Sequence, residues 1–168
     1  MTLHIGSAPL SKAYIGSTEL TKIHVGSAEV WSSWTPMGML KSGTQNTAGS
    51  TTTVQVTGWV NNPSYPGSSV VSNALVISGA KSDASISASV KFVNRYFYVN
   101  YYAEIRKNGA AVPGASVTVL GPSSGTGLLI TVPTVSVSVA AGDAFSLWVY
   151  TEGFGNTIDV SGTQLQVV

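Results

Sequence analysis

The chain has 168 residues, no cysteine and a net charge of +1, and charged residues make up only 9% of it. The absence of cysteine excludes disulfides, thiolate zinc sites and cysteine nucleophiles, so stability has to come from packing. Lys and Arg form no run of the kind that binds phosphate backbones, and no run of about 18 apolar residues predicts a membrane span, so neither nucleic acid binding nor membrane insertion is expected.

The first thirty residues carry a repeat with a period of ten residues. Each copy places an apolar residue before a Gly-Ser pair, and a lysine recurs in register between copies. The repeated positions are Gly6, Gly16, Gly26, Lys12 and Lys22. Glycine at this spacing supplies turns at which short strands reverse direction. The repeat predicts a small β-meander or arched β-segment over residues 1–35, closing near Trp31, with mixed apolar and polar faces.

Residues 36–53 are rich in Ser, Thr and Gly over much of their length and show no regular period. Such composition is typical of a linker or a long loop. The sequence therefore predicts a docking segment over residues 1–35, a linker over 36–53 and one sandwich domain over 54–168.

From Val54 onward, apolar residues alternate with polar ones in short runs. One run alternates serines and a lysine with Ile86, Ala88, Val90 and Phe92. The sequence Lys107-Asn108-Gly109 is a type I′ hairpin signal between two such runs. Many short strands, frequent turn signals and no helical period predict an all-β, antiparallel sandwich or barrel.

The last seventy residues resemble the jelly roll of the complement globular-head and tumour-necrosis-factor-like superfamily. Three features in order carry the resemblance: the strand end at residues 103–109, the strand at residues 141–149 and the terminal strand after Gly162. The resemblance implies a jelly-roll-like β-sandwich that forms homotrimers through one face. It also implies binding to proteins or glycans rather than catalysis.

Residues 3–31, with their Gly-Ser units ending in Val30-Trp31, resemble the start of minor tail proteins of phages that infect actinobacteria. This resemblance implies a non-enzymatic virion structural protein, assembled in the host cytoplasm, that docks to other virion proteins by its repeats. The sandwich would then project to adhere to the host surface, where a glycan is a candidate partner. Two alternatives are a capsid decoration or head-fibre protein and, from another class, a bacterial carbohydrate-binding module.

The sequence predicts no catalytic residue, no metal site and no cofactor. The two histidines, His4 and His24, share one repeat position with Tyr14, which fits a half-exposed strand residue better than a catalytic base. Three acidic residues are conceivable as a glycosidase pair, but one lies in a turn signal and the other two flank a glycine-rich loop. The same three residues lack the dense acidic spacing that a Ca²⁺ loop such as an EF-hand has. They are Asp143, Glu152 and Asp159.

Aromatic residues on the outward side of two predicted strands remain as functional candidates. They are Tyr96, Tyr98, Tyr102, Trp148 and Tyr150. If the two strands are neighbours, these rings share one face, which could pack against another subunit or stack on sugar rings. Subunit packing is the favoured interpretation of this face.

Overall fold

The computed structural model describes residues 4–5, 8–10, 12–20, 22–32, 34–93, 98–121 and 127–168. Over these residues the chain forms eighteen β-strands and no helix. The strands are β1 (His4–Ile5), β2 (Ala8–Pro9), β3 (Ala13–Ile15), β4 (Thr18–Leu20), β5 (Lys22–Val25), β6 (Ala28–Ser32), β7 (Met37–Lys41), β8 (Gln45–Thr47), β9 (Ser50–Gln55), β10 (Trp59–Asn61), β11 (Val70–Val71), β12 (Ala74–Val76), β13 (Lys81–Phe92), β14 (Asn100–Lys107), β15 (Ala110–Leu120), β16 (Leu128–Val139), β17 (Ala144–Thr151) and β18 (Asn156–Val167).

The strands from β7 onward, other than β9, form a sandwich of two antiparallel sheets. The larger sheet has the order β10-β7-β18-β13-β16, with β8 also paired to β18, and the smaller has the order β11-β12-β17-β14-β15. Chain-distant strands lie side by side in both sheets, as in the double-sheet jelly roll. The predicted fold class, an antiparallel jelly-roll-like β-sandwich preceded by a β-repeat, is confirmed.

Alternating apolar residues of the two sheets face each other and form one core. The predicted buried residues Ile86, Val90 and Phe92 are 0% exposed, and so is Tyr101, an inward residue of the opposite sheet. The rings of Phe92 and Tyr101 meet edge to face across the sandwich, with centroids 5.1 Å apart. Such aromatic contacts add to the stabilisation that burial alone provides.

The turn between β14 and β15 has the predicted type I′ character. Asn108 and Gly109 have φ values of +52° and +85°, and the turn joins two strands paired from Lys107 to Ala110. Positive φ at both central residues matches the twist of the flanking strands.

The predicted linker over residues 36–53 is corrected by the structure, because three strands lie within or across that stretch. Strand β7 lies between β10 and β18, and its Met37 and Met39 are fully buried. Polar side chains complete the hydrogen bonding nearby: Gln45 Nε2 donates to the carbonyl of Gln55 at 2.9 Å, and Thr47 Oγ1 donates to that of Asn156 at 3.2 Å. The sandwich therefore begins at Met37 rather than at Val54.

The N-terminal repeat forms three two-stranded hairpins, β1-β2, β3-β4 and β5-β6, each a separate sheet. The predicted β-segment is therefore a series of three hairpins, and its strands do not join into one continuous meander sheet. At the tips of the second and third hairpins, Gly16 and Gly26 have φ values of +61° and +62°. Glycine with positive φ at the first central position is the requirement of a type II′ turn.

Candidate contact face and docking repeat

Strands β14 and β17 are neighbours, and their register brings predicted aromatic residues onto one surface. Tyr102 lies directly opposite Tyr150, and Glu104 lies directly opposite Trp148. Ala103, which lies between Tyr102 and Glu104 in β14, is fully buried, so these two neighbours point away from the core. The surface called the aromatic face below consists of Tyr102, Glu104, Arg106, Trp148 and Tyr150.

The two tyrosines form a stacked pair at the centre of the aromatic face. Their ring centroids are 4.9 Å apart and their planes differ by 13°. The Tyr102 hydroxyl donates to Glu104 Oε2 at 2.9 Å. Burial raises the pKa of the Tyr102 phenol, and the hydrogen bond to Glu104 raises it further. The phenol therefore stays protonated at neutral pH and keeps its ring in place.

Trp148 is covered by a side chain of the same sheet. The guanidinium carbon of Arg106 lies 4.1 Å from the centroid of the indole ring, a cation–π arrangement. The indole nitrogen donates to Ser146 Oγ at 2.9 Å, and Arg106 Nη2 donates to Thr53 Oγ1 at 2.9 Å. One face of the Trp148 ring is thus occupied by Arg106 and is closed to a ligand.

Glu104 neutralises Arg106 on this face. The Glu104 residue is only 6% exposed, and Arg106 Nε donates to its Oε1 at 2.7 Å. A buried carboxylate needs such partners, because an unpaired charge away from water is costly. The Glu104–Arg106 pair contributes no net charge, so the centre of the aromatic face is a satisfied network of rings and hydrogen bonds.

The other two predicted aromatic residues lie apart from this centre. Tyr96 falls outside the described residues. Tyr98 precedes β14 and is 80% exposed, with a φ of +56°. Bulky residues seldom adopt this left-handed backbone conformation, so Tyr98 is a conformational outlier at the end of the sheet.

Sequence reasoning missed a polar pair next to the tyrosines. Asn100 Nδ2 donates to Glu152 Oε2 at 2.8 Å, and the Glu152 amide donates to the Asn100 carbonyl at 2.9 Å. Asn100 and Tyr102 are two residues apart in β14, as are Tyr150 and Glu152 around the end of β17. The two-residue period of a strand could have shown that Asn100 and Tyr102 share a face, and that Tyr150 and Glu152 do. It could not have shown that these two strands are neighbours.

The candidate docking repeat is largely solvent-exposed where its side chains are described. Ile15 and Val25, which precede the turn glycines, are each 70% exposed. Lys12 Nζ lies 3.3 Å from the Glu19 carboxylate in the second hairpin. Within the third hairpin, Trp31 pairs with Ile23 and Lys22 pairs with Ser32 along the backbone. Gly6 falls outside the described residues.

Asp143 has a structural environment rather than a catalytic one. Its carboxylate accepts hydrogen bonds from Asn108 Nδ2 at 2.8 Å and from the Ala140 amide at 2.7 Å, and it forms an ion pair with Lys107 at 2.8 Å. Burial by itself raises the pKa of Asp143, but the hydrogen bonds from Lys107, Ala140 and Asn108 outweigh it and lower the pKa. Asp143 therefore joins the β14–β15 turn to the β16–β17 turn.

The three acidic candidates are not brought together as a catalytic pair. Asp143 precedes β17 and Glu152 follows it, so about 25–30 Å of extended strand separates them. Asp159 accepts from the amide of Val160 at 2.7 Å. His24 lies exposed in β5. Among the described residues, no group of three or more His, Cys, Asp or Glu side chains could hold a metal ion.

In the part of the chain that the structure covers, no segment forms a helix of the length and hydrophobicity that a membrane crossing requires.

Comparisons with known proteins identify the fold and no closer relationship. No protein-family profile and no curated protein matches the sequence. Among solved structures, the Eiger TNF from S. frugiperda matches with a TM-score of 0.57 and 6% sequence identity, over 80% of this chain and 91% of that one. Murine APRIL matches with a TM-score of 0.53 and 9% identity, over 79% and 96%. The chain has the jelly-roll fold of these TNF-like proteins.

Proposed function

We propose that this protein is a non-enzymatic structural component of a phage virion, a minor tail or tail-tip protein that adheres to the host surface. The three N-terminal hairpins dock to the particle, and the jelly roll projects from it as a homotrimer. The observation that carries the proposal is the pairing of three successive two-stranded hairpins, with exposed side chains such as Ile15 and Val25 where these are described, with a jelly-roll sandwich. The resemblance of the repeat to minor tail proteins supplies the virion context.

The hairpins have the physical properties of a docking element. A two-stranded hairpin is marginally stable alone in water, and exposed apolar residues such as Ile15 and Val25 favour contact with another surface. Strand edges with unpaired backbone groups gain hydrogen bonds by adding to another protein's sheet. Side chains such as Lys12 and Glu19 would then set the register of docking rather than supply its affinity.

The course of the chain favours docking and adhesion at opposite ends of the sandwich. The repeat enters at Met37, which pairs with Val167, and Val168 bonds to Ser85 at the same end. In the smaller sheet, Asn100 begins β14 and Glu152 follows β17, and both lie at the opposite end of the sandwich, close in sequence to the exposed Tyr98. A particle bound through the hairpins would therefore leave the end with Tyr98 free to meet a cell.

For the trimer, the outer surface of the larger sheet is a better contact than the aromatic face. A concavity of about 250 Å³ on that sheet is lined only by uncharged residues: Ser87, Ala88, Ser89, Leu129, Thr131 and Gln164. Uncharged surfaces suit the core of a subunit interface, whereas the aromatic face contains the Glu104–Arg106 pair. This assignment differs from the favoured sequence-based interpretation, which placed subunit packing on the aromatic face.

Light scattering after size exclusion tests both the trimer and its surface. The full chain should elute as a trimer, Thr131→Arg should weaken assembly, and the matched change Tyr150→Arg should not. A wild-type chain that stays monomeric at micromolar concentration would rule out the trimer. Loss of assembly with Tyr150→Arg alone would return the interface to the aromatic face.

Incorporation into particles tests the virion role. Full-length chain and a chain with residues 4–30 replaced by an equally long Gly-Ser segment are offered to particles of a phage that lacks the gene. The full chain should be incorporated and located at the tail by electron microscopy, and the replaced chain should not. Density on the capsid would instead support the decoration protein, and equal incorporation of both chains would exclude docking by the hairpins.

A further inference from the structure

The end of the smaller sheet that lies away from the repeat combines rings with polar groups in one place. The term distal patch below denotes Tyr98, Asn100, Tyr102, Tyr150 and Glu152. Tyr102 and Tyr150 form the stacked row, and Asn100 and Glu152 form a second row about 7 Å further along the same two strands. Leu120, paired with Asn100 on the third strand, is 56% exposed and borders the patch.

The polar row of the patch is held in place by two hydrogen bonds. The Asn100 side chain donates to Glu152 at 2.8 Å, and the Glu152 amide donates to the Asn100 carbonyl at 2.9 Å. An amide and a carboxylate fixed side by side offer donors and acceptors in one plane, the arrangement that suits the adjacent hydroxyls of a sugar.

The charge of the patch restricts the class of ligand. Glu104, the next residue after Tyr102 on the same face of β14, has its charge neutralised by Arg106. Within the patch, the hydrogen-bond partner of Glu152 is Asn100, which is uncharged. The patch residues therefore carry one formal negative charge. An acidic polymer would be repelled by it, and a second protein subunit would have to bury it.

We propose that the distal patch binds a neutral saccharide. The face of the exposed Tyr98 ring stacks on the C–H face of the sugar, the tyrosine pair borders it, and Asn100 and Glu152 hydrogen-bond its hydroxyls. Tyr98 is 80% exposed and has a left-handed backbone just before the strand begins. Trp148 lies outside the patch, and Arg106 covers one face of its ring. This inference rests on the proposed adhesion function and names the ligand class of that site.

The test measures binding of the purified full chain to immobilised neutral polysaccharides, namely galactan, glucan, mannan and arabinan, with polygalacturonate as the anionic comparator. At least one neutral polymer should bind, and polygalacturonate should not. Tyr98→Ala and Glu152→Gln should each weaken binding about tenfold, as expected for the loss of a ring contact or of a hydrogen bond to a charged group. Matched controls are Tyr14→Ala, on an exposed ring of the repeat, and Asp83→Asn, on an exposed carboxylate; neither should change binding.

The outcomes separate the ligand from the function. Binding to none of the neutral polymers, preference for polygalacturonate, or equal losses in the patch variants and the controls would overturn the saccharide site. If the chain nevertheless enters particles and those particles still adhere to cells, the adhesion function stands with another ligand. Saccharide binding by a chain that is absent from virions would keep the site and overturn the virion role, favouring a carbohydrate-binding module.

Discussion

The repeat and the sandwich are both built from antiparallel strands and glycine-containing turns, yet they differ in what covers those strands. In the sandwich, Phe92 and Tyr101 are fully buried between two sheets. In the repeat, Ile15 and Val25 are 70% exposed on two-stranded hairpins. Turn chemistry is thus enough to define a hairpin, but a second sheet is needed for a core. This difference is what the proposed docking by the hairpins and the proposed binding by the sandwich rest on.

Two truncations test the boundary between these regions, and the shorter chain should show the largest loss of stability of all the variants. A chain starting at Trp34 retains β7 and should keep a cooperative thermal transition. A chain starting at Ser42 loses Met37 and Met39 and opens the sheet between β10 and β18, so it should lose that transition. Differential scanning calorimetry measures both. Loss of the transition in the longer chain would make the repeat an integral part of the sandwich.

Alanine substitutions should reveal the same contrast at single residues. Phe92→Ala removes a fully buried ring and should lower the free energy of unfolding by about 3–5 kcal/mol. Ile15→Ala, on an exposed hairpin position, should change it by no more than about 0.5 kcal/mol. Urea denaturation followed by tryptophan fluorescence gives both values. A comparable loss in the two variants would show that Ile15 packs against the sandwich.

Acid should weaken the sandwich through Asp143. The folded-state pKa of Asp143 is lowered, so its contribution is present above the unfolded pKa and is lost as pH falls through the folded pKa. Asp143→Asn should cost about 1–2 kcal/mol at neutral pH, because charge-assisted hydrogen bonds from Lys107 and Ala140 are weakened. The difference from wild type should shrink on acidification. If the difference in unfolding free energy stayed constant as the pH fell from neutral through the pKa of Asp143, the carboxylate would not be the stabilising group.

The smallest effect is expected at the Lys12–Glu19 pair of the second hairpin. Both side chains are exposed, and surface ion pairs of this kind contribute little. Lys12→Ala should leave the amide resonance of Gly16 and the thermal transition unchanged, whereas Gly16→Val, at a φ of +61°, should shift the turn resonances. A changed Gly16 resonance in Lys12→Ala would show that the ion pair holds the hairpin together.

Local pattern was sufficient for much of the fold because its causes are local. Alternation placed Ile86, Val90 and Phe92 in the core, since the side chains of a strand point to opposite faces in turn. Asn108-Gly109 formed its turn because both residues tolerate positive φ. Pattern failed over residues 36–53, where a short apolar strand with a glycine, β7, is flanked by polar segments that resemble a linker.

The sequence by itself thus determined the strand class, the inward and outward faces of the main strands and the positions of the turns. Only the tertiary structure decided which strands are neighbours, because strand pairing depends on contacts between residues far apart in the chain. That pairing stacks Tyr102 on Tyr150 and joins Asn100 to Glu152. It also places Arg106 over Trp148, which turns a predicted contact residue into part of the supporting network.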